Sequence, residues 1–261
     1  MEPMGPSGGL IRRMRWGLLA LVCHAAFAAN PQAEQLIMQG DAQVKALHAT
    51  EALALFEQAA KADPNDVEIL LRISQQCSNL IAQAKTPAEA QAYAKRSLEE
   101  AQKAVALAPA NAKAHLALAV AYGRLTDFED NRTKVEFSRY IKNETDKTLE
   151  LDPKEDFAWH VLGRWTYNMA DISGIKRTLA EAIYGKMPTA KFEEAARCFE
   201  KAIALNPSRP MHYIELGRTY ADMGRTAEAR KVILKGLAMP PTEKDDPETK
   251  DRGRQILASL R

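Results

Sequence analysis

The chain has 261 residues, of which 46% are hydrophobic and 27% charged, proportions that suit a folded protein of one extended domain or two compact ones. With 36 basic and 34 acidic side chains, the formal net charge is +2. This balance gives no electrostatic reason to expect nucleic acid or an anionic membrane as the main partner, because such binding depends on many Lys and Arg contacts.

Residues 1–28 have the pattern of a secretory signal peptide. Arginines at positions 12, 13 and 15 precede an apolar run from Trp16 to Ala28. This run is shorter than the about 20 residues that a spanning helix needs, so we expect cleavage near Ala28, no stable transmembrane anchor in the mature chain, and a periplasmic or secreted protein. A mitochondrial presequence is the alternative, because it is also rich in arginine and poor in acids. Cleavage would remove Glu2 and three arginines and leave the chain formally neutral.

Residues 29–261 contain five copies of a tetratricopeptide-like helix pair, near 33–66, 67–111, 112–155, 156–209 and 210–243. The first copy has the plain period of about 34 residues, and the next three are longer by roughly 10 to 20 residues. The sequence therefore predicts an all-α protein. We expect an α-solenoid of tetratricopeptide-like helix pairs, some with lengthened helices, closed by a C-terminal capping helix at 247–261.

Small and large side chains recur at fixed positions of the copies. Small residues let two helix backbones approach, and large ones fill the remaining gap. The structural positions are Gly40, Phe56, Pro64, Pro109, Tyr122, Pro153, Trp159, Gly163, Phe199, Pro207, Gly217, Tyr220 and Pro241. The third copy fits least well, because Ile141, Thr145 and Thr148 stand where small or aromatic residues are expected. Its polar loop at 126–133 is expected to join two lengthened helices.

Turn and cap residues mark the helix boundaries. The segment DPND at 63–66 ends one helix and caps the next. Thr86 and Glu89 have the spacing of a capping box with Pro87 at the first helical position, so we expect a helix to begin there.

Two cysteines, Cys77 and Cys198, follow the expected cleavage site. In the repeat register Cys77 falls on a first helix, whereas Cys198 falls on a second helix two repeats later. We therefore expect free, mostly buried thiols and no disulfide.

No enzyme, metal or cofactor is expected from the motifs of the chain. Neither HExxH nor GxxxxGK[ST] occurs, although these are the patterns that would place a zinc ion or a nucleotide. His48, His115, His160 and His212 fall in four separate repeats, without the i, i+4 spacing of helical metal ligands.

The concave face of such an array is formed by the first helix of each repeat, where positions 2, 5, 9 and 12 should face the groove. In the second and third repeats these positions are Glu68, Leu71, Gln75, Ser78, Lys113, Leu116, Val120 and Gly123. In the last two repeats the candidate binding residues are Phe157, His160, Arg164, Tyr167, Ile214 and Arg218.

Arg164 and Arg218 occupy the same position in successive repeats, beside Tyr167. Two guanidinium groups in one groove could clamp a carboxylate or a phosphate. The alternative is that both arginines pair with local acids such as Asp222 or Glu215.

The fourth copy is interrupted by an insertion. Residues 172–184 predict an additional amphipathic helix with Ile175, Leu179 and Ile183 on one stripe, which we expect to pack over the groove. Trp159 stands at a packing position of the repeat and is assigned to the core.

Several stretches together resemble the regulator of microtubule dynamics family. They are LGRW at 162–165, AEAIYGKMP at 180–188, FEEAARCFEKAIALNP at 192–207 and LAMPPTEKDDPETKD at 237–251. The resemblance covers roughly residues 35–261 in layout and is most specific from Ile141 onward. It implies an all-helical repeat domain without enzymatic activity, with microtubule association and phospholipid binding among animal members. The apparent export signal, which favours a bacterial form, departs from those members.

The leading hypothesis is a non-enzymatic scaffold or adaptor whose groove binds a protein or peptide segment. A rival hypothesis is a phospholipid carrier or tether, in which the groove and the inserted helix enclose an acyl chain. A third, which rests on the family resemblance, is a microtubule-associated regulator.

Overall fold

The computed structural model describes residues 30–260, and this part of the chain is helical, with two short 3₁₀ turns and no strand. The helices are α1 (Pro31–Lys45), α2 (Ala49–Ala62), α3 (Val67–Leu80), α4 (Pro87–Leu107), α5 (Ala112–Leu125), α6 (Asn131–Leu151), α7 (Asp156–Asp171), α8 (Gly174–Tyr184), α9 (Phe192–Leu205), α10 (Pro210–Asp222), α11 (Thr226–Ala238) and α12 (Asp246–Ser259). The signal peptide expected at 1–28 lies outside the described residues. Among residues 30–260, no helix has both the length and the apolar character that crossing a bilayer requires.

The helices pack in five pairs, which are α1 with α2, α3 with α4, α5 with α6, α7 with α9, and α10 with α11. The second helix of each pair also contacts the first helix of the next, so the pairs stack into one array. Helix α12 packs against α10 and α11 at the end of the array. The predicted all-α solenoid of tetratricopeptide-like helix pairs is confirmed.

A glycine facing a phenylalanine ring sets the distance between the helices of two pairs. A Cβ atom added to Gly40 on α1 would lie 2.3 Å from Cε1 of Phe56, and one added to Gly163 on α7 would lie 2.7 Å from Cε1 of Phe199. Both rings are fully buried. The backbone of the first helix therefore rests directly on the ring of the second, and any larger residue would push the helices apart.

Serine hydroxyls replace this contact in the second pair. The hydroxyls of Ser74 on α3 and Ser97 on α4 each donate to the other residue's backbone carbonyl at 2.9 Å. A third hydroxyl, that of Ser78, lies 2.9 Å from the Ser97 hydroxyl. All three side chains are buried, and their small size keeps the helices close while their polar atoms stay bonded.

The poor match of the third pair also has a physical explanation. Thr145 and Thr148 of α6 are buried, and their hydroxyls donate to the carbonyls of Ile141 at 2.6 Å and Glu144 at 2.8 Å, one turn earlier in the same helix. Because each hydroxyl is satisfied within its own helix, the rest of the side chain packs as a small apolar group.

The extra residues of the long repeats are placed in two ways. Helices α4 and α6 have 21 residues each, against 14 for α2, so the second helix is lengthened in the second and third pairs. Helix α5, which precedes the loop at 126–133, has only 14 residues. The expectation that this loop joins two lengthened helices is therefore wrong for α5. In the fourth pair the extra residues form the separate helix α8.

Helix α8 turns its apolar stripe to solvent. Ile175 is 87% exposed, and Leu179 and Ile183 are also exposed, at 60% and 61%. The opposite face is tethered, because Arg177 donates to the carbonyls of Met187 and of the next residue, Pro188, at 2.7 Å each. The expectation that this stripe packs over the groove is therefore wrong, since the polar side of the helix faces the protein.

Helix α4 begins at Pro87, as the capping pattern predicts. The Thr86 hydroxyl accepts a hydrogen bond from the Glu89 backbone at 3.1 Å. The Glu89 carboxylate accepts from the backbone N–H of Lys85 at 2.8 Å, one residue before the cap. Both ends of this box hold N–H groups that the first helical turn leaves without intrahelical partners.

The remaining structural positions of the repeats differ in how deeply they are buried. The buried ones are Gly40, Phe56, Gly163, Phe199, Gly217 and Tyr220. Trp159, expected in the core, is only half-buried, and its indole N–H donates to the carbonyl of Pro153 at 3.0 Å. Tyr122 is also half-buried and stacks on Tyr140 with ring centroids 4.9 Å apart. Tyr122 therefore packs within the third pair, whereas Trp159 holds the turn before α7.

The prediction of free thiols is confirmed for the two cysteines of the described region. Cys77 is buried and Cys198 is half-buried, and neither forms a disulfide. Burial raises the pKa of each thiol to about 11. Both cysteines therefore carry a protonated, weakly reactive thiol at neutral pH.

The glycine contact predicts opposite effects for two Gly→Ala substitutions. Gly163→Ala is expected to lower the free energy of unfolding by about 1–3 kcal/mol, because its Cβ would collide with Phe199. Gly123→Ala serves as the control, because the nearest atom to its Cβ is 4.0 Å away, and it should raise that free energy by about 0.5–1 kcal/mol. Urea unfolding measures both. Equal effects of the two substitutions would contradict the packing described.

Candidate functional site

A groove with a cavity volume of about 390 Å³ runs along the face formed by the first helices of the pairs. Its apolar floor consists of Leu71 on α3, Leu116 and Val120 on α5, and Phe157 and Met211 at the starts of α7 and α10. These side chains come to one face because they occupy corresponding positions of neighbouring first helices, with Leu116 and Val120 one turn apart on α5. All positions counted for the second and third repeats line this groove, apart from Gly123.

Charged side chains form one rim of the groove. Arg72 on α3 presents two nitrogens to the carboxylate of Asp41 on α1, at 2.9 and 3.1 Å. A third nitrogen of Arg72 lies 2.9 Å from Glu68, one turn earlier. This two-pronged pairing fixes the direction of the guanidinium group and ties α1 to α3 along the rim.

Two further arginines lie toward the other end of the groove. Arg209, just before α10, is 3.3 Å from Asp156 and 3.4 Å from Glu243, and its guanidinium lies 5.2 Å from the centre of the Phe157 ring. Arg124 on α5 is 2.9 Å from Asp245. Burial raises the pKa of Glu243, and Arg209 opposes that rise. The two acids come from the segment between α11 and α12, so this segment forms part of the groove wall.

A buried pair of histidines connects α7 to α10. Nδ1 of His212 lies 3.1 Å from Nδ1 of His160, and Nε2 of His212 lies 2.9 Å from Oδ2 of Asp156. Because a carboxylate can only accept, His212 donates from Nε2, and its Nδ1 accepts the hydrogen carried by Nδ1 of His160. Burial lowers the pKa of both histidines, although Asp156 opposes this for His212. The pair is therefore neutral at pH 7.

The candidate residues of the last two repeats separate into two groups. Phe157 lies in the groove. His160 and Ile214 do not, because they are only 4% and 1% exposed. His160 is held by His212. Ile214 packs against α11 and α12, where Cβ atoms added to Gly236 and Gly253 would lie 3.1 and 2.7 Å from its Cδ1. The capping helix thus covers a position that would otherwise face the groove.

Arg164, Tyr167 and Arg218 lie outside the residues that line the groove. The Arg218 guanidinium lies 4.0 Å from the centre of the Tyr167 ring and 3.6 Å from Glu215. Tyr167 is buried, and its hydroxyl donates to Asp222. Arg164 is exposed. Arg218 is therefore paired with Glu215, one of the local acids that the sequence analysis gave as alternative partners. A clamp formed with Arg164 stays a prediction.

Sequence reasoning missed the charged residues that meet across the groove. Asp41, Arg124, Arg209, Glu243 and Asp245 were not among the candidates, because the counting rule considers only first helices at fixed positions. The acid-rich stretch EKDD at 243–246 was the one local signal. Within residues 30–260, no three His, Cys, Asp or Glu side chains converge in a way that could hold a metal ion.

Comparison with known proteins assigns the chain to a family. Residues 31–261 match the family model described as Regulator of microtubule dynamics protein 1-3. The human Regulator of microtubule dynamics protein 2 is 28% identical over 199 residues, which are 76% of this chain and 48% of that protein. Protein 1 of Mus musculus is 25% identical over 245 residues, which are 90% of this chain and 77% of that protein. The chain spans about half the length of protein 2 relatives such as those of Macaca fascicularis and Homo sapiens.

A solved structure is similar in fold. The thermophilic TPR protein TTC0263 of Thermus thermophilus superposes with a TM-score of 0.62 at 20% identity, covering 87% of this chain and 99% of that one. At this identity the similarity concerns the fold, which is again an array of tetratricopeptide helix pairs.

The neutral histidine pair predicts a loss of stability in mild acid. The unfolded chain binds protons at an ordinary histidine pKa of about 6.5, whereas the folded state resists them, so the free energy of unfolding falls as pH drops below that value. The slope should approach about 1.4 kcal/mol per pH unit for each histidine that stays neutral in the folded state.

Urea unfolding between pH 7.5 and 5 on three proteins measures this effect, with the pH limits chosen to lie about one unit or more either side of that pKa. The double variant His160→Gln, His212→Gln should show a smaller slope than the wild type. His48→Gln, which changes an exposed histidine, should leave the slope as it is. A double variant with the wild-type slope would contradict the assignment.

Proposed function

The chain belongs to the regulator of microtubule dynamics family, and we propose that it is a non-enzymatic scaffold that binds a peptide or protein segment in its groove. The observation that carries this proposal is the groove itself, with an apolar floor between charged rims. Arrays of helix pairs form extended concave surfaces of this kind, and such a surface suits an extended chain.

The pairing of the groove's charged groups supports recognition over catalysis. The guanidinium of Arg72 is engaged by Asp41 and Glu68, and that of Arg209 by Asp156 and Glu243. A general acid or base must be free to exchange a proton with a substrate, whereas groups fixed in such pairs present directed charges to a ligand. Apolar side chains such as Val120 between them supply contact area.

Export is part of the proposal, and its support is the signal-peptide pattern at 1–28. A role in microtubule dynamics comes to this chain from the names of its relatives. The protein isolated from a periplasmic or secreted fraction is expected to begin at Ala29 on N-terminal sequencing. A chain recovered from the cytoplasm that still begins at Met1 would contradict export and favour the role that the relatives' names suggest.

A substitution in the floor of the groove tests the scaffold proposal. Val120→Arg places a long charged side chain on the floor and is expected to abolish capture of a partner that the wild-type protein retains. Leu234→Arg is the matched control, because Leu234 is 53% exposed on α11, away from the groove. Affinity purification from the native extract, followed by crosslinking that maps the partner to α3 and α5, gives the readout.

A partner retained equally by both variants would contradict groove binding. Native mass spectrometry of the freshly purified protein distinguishes the phospholipid alternative from peptide binding. A lipid in the groove would appear as added mass that Val120→Arg removes.

A further inference from the structure

The segment between α11 and α12 crosses the groove, and we name residues 240–245 the strap. Three of its side chains reach three different repeats. Glu243 is 3.4 Å from Arg209 at the start of α10, and Asp245 is 2.9 Å from Arg124 on α5. Nζ of Lys244 donates at 2.9 Å to the carbonyl of Leu47, in the turn between α1 and α2. The strap therefore bridges the fifth, third and first pairs.

The conformation of the strap is fixed from its own end of the chain. Asp246, the first residue of α12, is fully buried, and its Oδ2 accepts from the backbone N–H groups of Thr242 at 2.6 Å and Glu243 at 2.8 Å. Lys250 donates to the carbonyl of Met239 on the other side of the strap. These anchors belong to the strap and α12 alone, so the acids of the strap can leave the groove without disturbing α5 or α10.

The contacts between strap and groove are those of a ligand. Carboxylates of the turn at 243–245 meet two arginines, beside the apolar side chains of Val120, Phe157 and Met211. Arg124 has Asp245 as its ion-pair partner among the described residues. Ion pairs that are partly open to water contribute little stability each, so a segment with similar acids and further apolar contacts can replace them.

We propose that the strap is an intramolecular occupant of the groove, and that the partner is an acidic peptide segment that displaces Glu243 and Asp245 from Arg209 and Arg124. This inference rests on the proposed peptide-binding function and names the chemistry of its partner. Because the strap belongs to the same chain, its effective concentration at the groove is in the millimolar range, and it suppresses weak acidic ligands. At low concentration, only a segment that also fills the apolar floor competes with it.

The test uses a fluorescent acidic peptide with the sequence of residues 239–250, MPPTEKDDPETK, and a control peptide in which amides replace every acid, MPPTQKNNPQTK. Fluorescence anisotropy measures binding to the full chain and to the variant Glu243→Gln, Asp245→Asn. The acidic peptide is expected to bind this variant about tenfold or more tightly than the wild type, because the internal competitor is weakened. The control peptide, which has no carboxylate for the arginines, should bind neither protein, and added salt should weaken the acidic complex.

A third substitution shows where the peptide binds. Arg124→Gln in the strap variant is expected to abolish the gain, whereas Arg197→Gln, on the exposed part of α9, should preserve it. Circular dichroism establishes that each variant is folded. A second measurement needs no variant, because a large excess of the acidic peptide should speed amide hydrogen exchange at residues 242–246 of the wild-type protein.

Equal affinity of the wild type and the strap variant for the acidic peptide, or unchanged exchange at 242–246, would overturn the inference. If the acidic peptide binds no variant while the partner lost in Val120→Arg is still captured by the wild type, the acidic class is wrong and the scaffold stands. If that partner is also absent, the proposed function fails together with the inference.

Discussion

The contact that the rest of the fold depends on is a helix backbone resting on a large side chain of its partner helix. Gly40 meets Phe56 in the first pair, Gly163 meets Phe199 in the fourth, and in the fifth a Cβ on Gly217 would lie 2.2 Å from Ile233. Helix spacing in an array accumulates, because each pair is the platform for the next. A displacement of one pair would shift every later first helix, and with it the floor of the groove.

Different side chains can form this contact as long as they keep the two helices of a pair at the same distance. Buried serines bring α3 and α4 together through reciprocal hydrogen bonds, and buried threonines of α6 satisfy their hydroxyls within their own helix. The second pair therefore has a polar contact between its helices, whereas the threonines of the third pair pack as small apolar groups. Their lengthened second helices lie on the side of the array away from the groove floor, whose residues come from first helices.

Periodicity and caps were enough to predict the solenoid and to find the groove positions on α3 and α5, because there the local pattern decides which side faces outward. The same counting fails at His160 and Ile214. Their surroundings are set by a histidine 52 residues away and by the capping helix, which no local pattern contains. The contact from Lys244 to Leu47 spans 197 residues and depends on the curvature of the whole array. Such contacts follow from the assembled shape, which a sequence pattern does not specify.

One carboxylate joins the interior of the array to its binding surface. Asp156 accepts a hydrogen bond from the buried His212 at 2.9 Å and lies 3.3 Å from Arg209 at the groove. Because His212 is neutral, Asp156 keeps its full negative charge for Arg209, and Arg209 in turn holds Glu243. The histidine pair fixes the position of this carboxylate, and the carboxylate fixes the direction of the guanidinium group. The packing between α7 and α10 therefore determines the charge that the groove presents to an incoming segment.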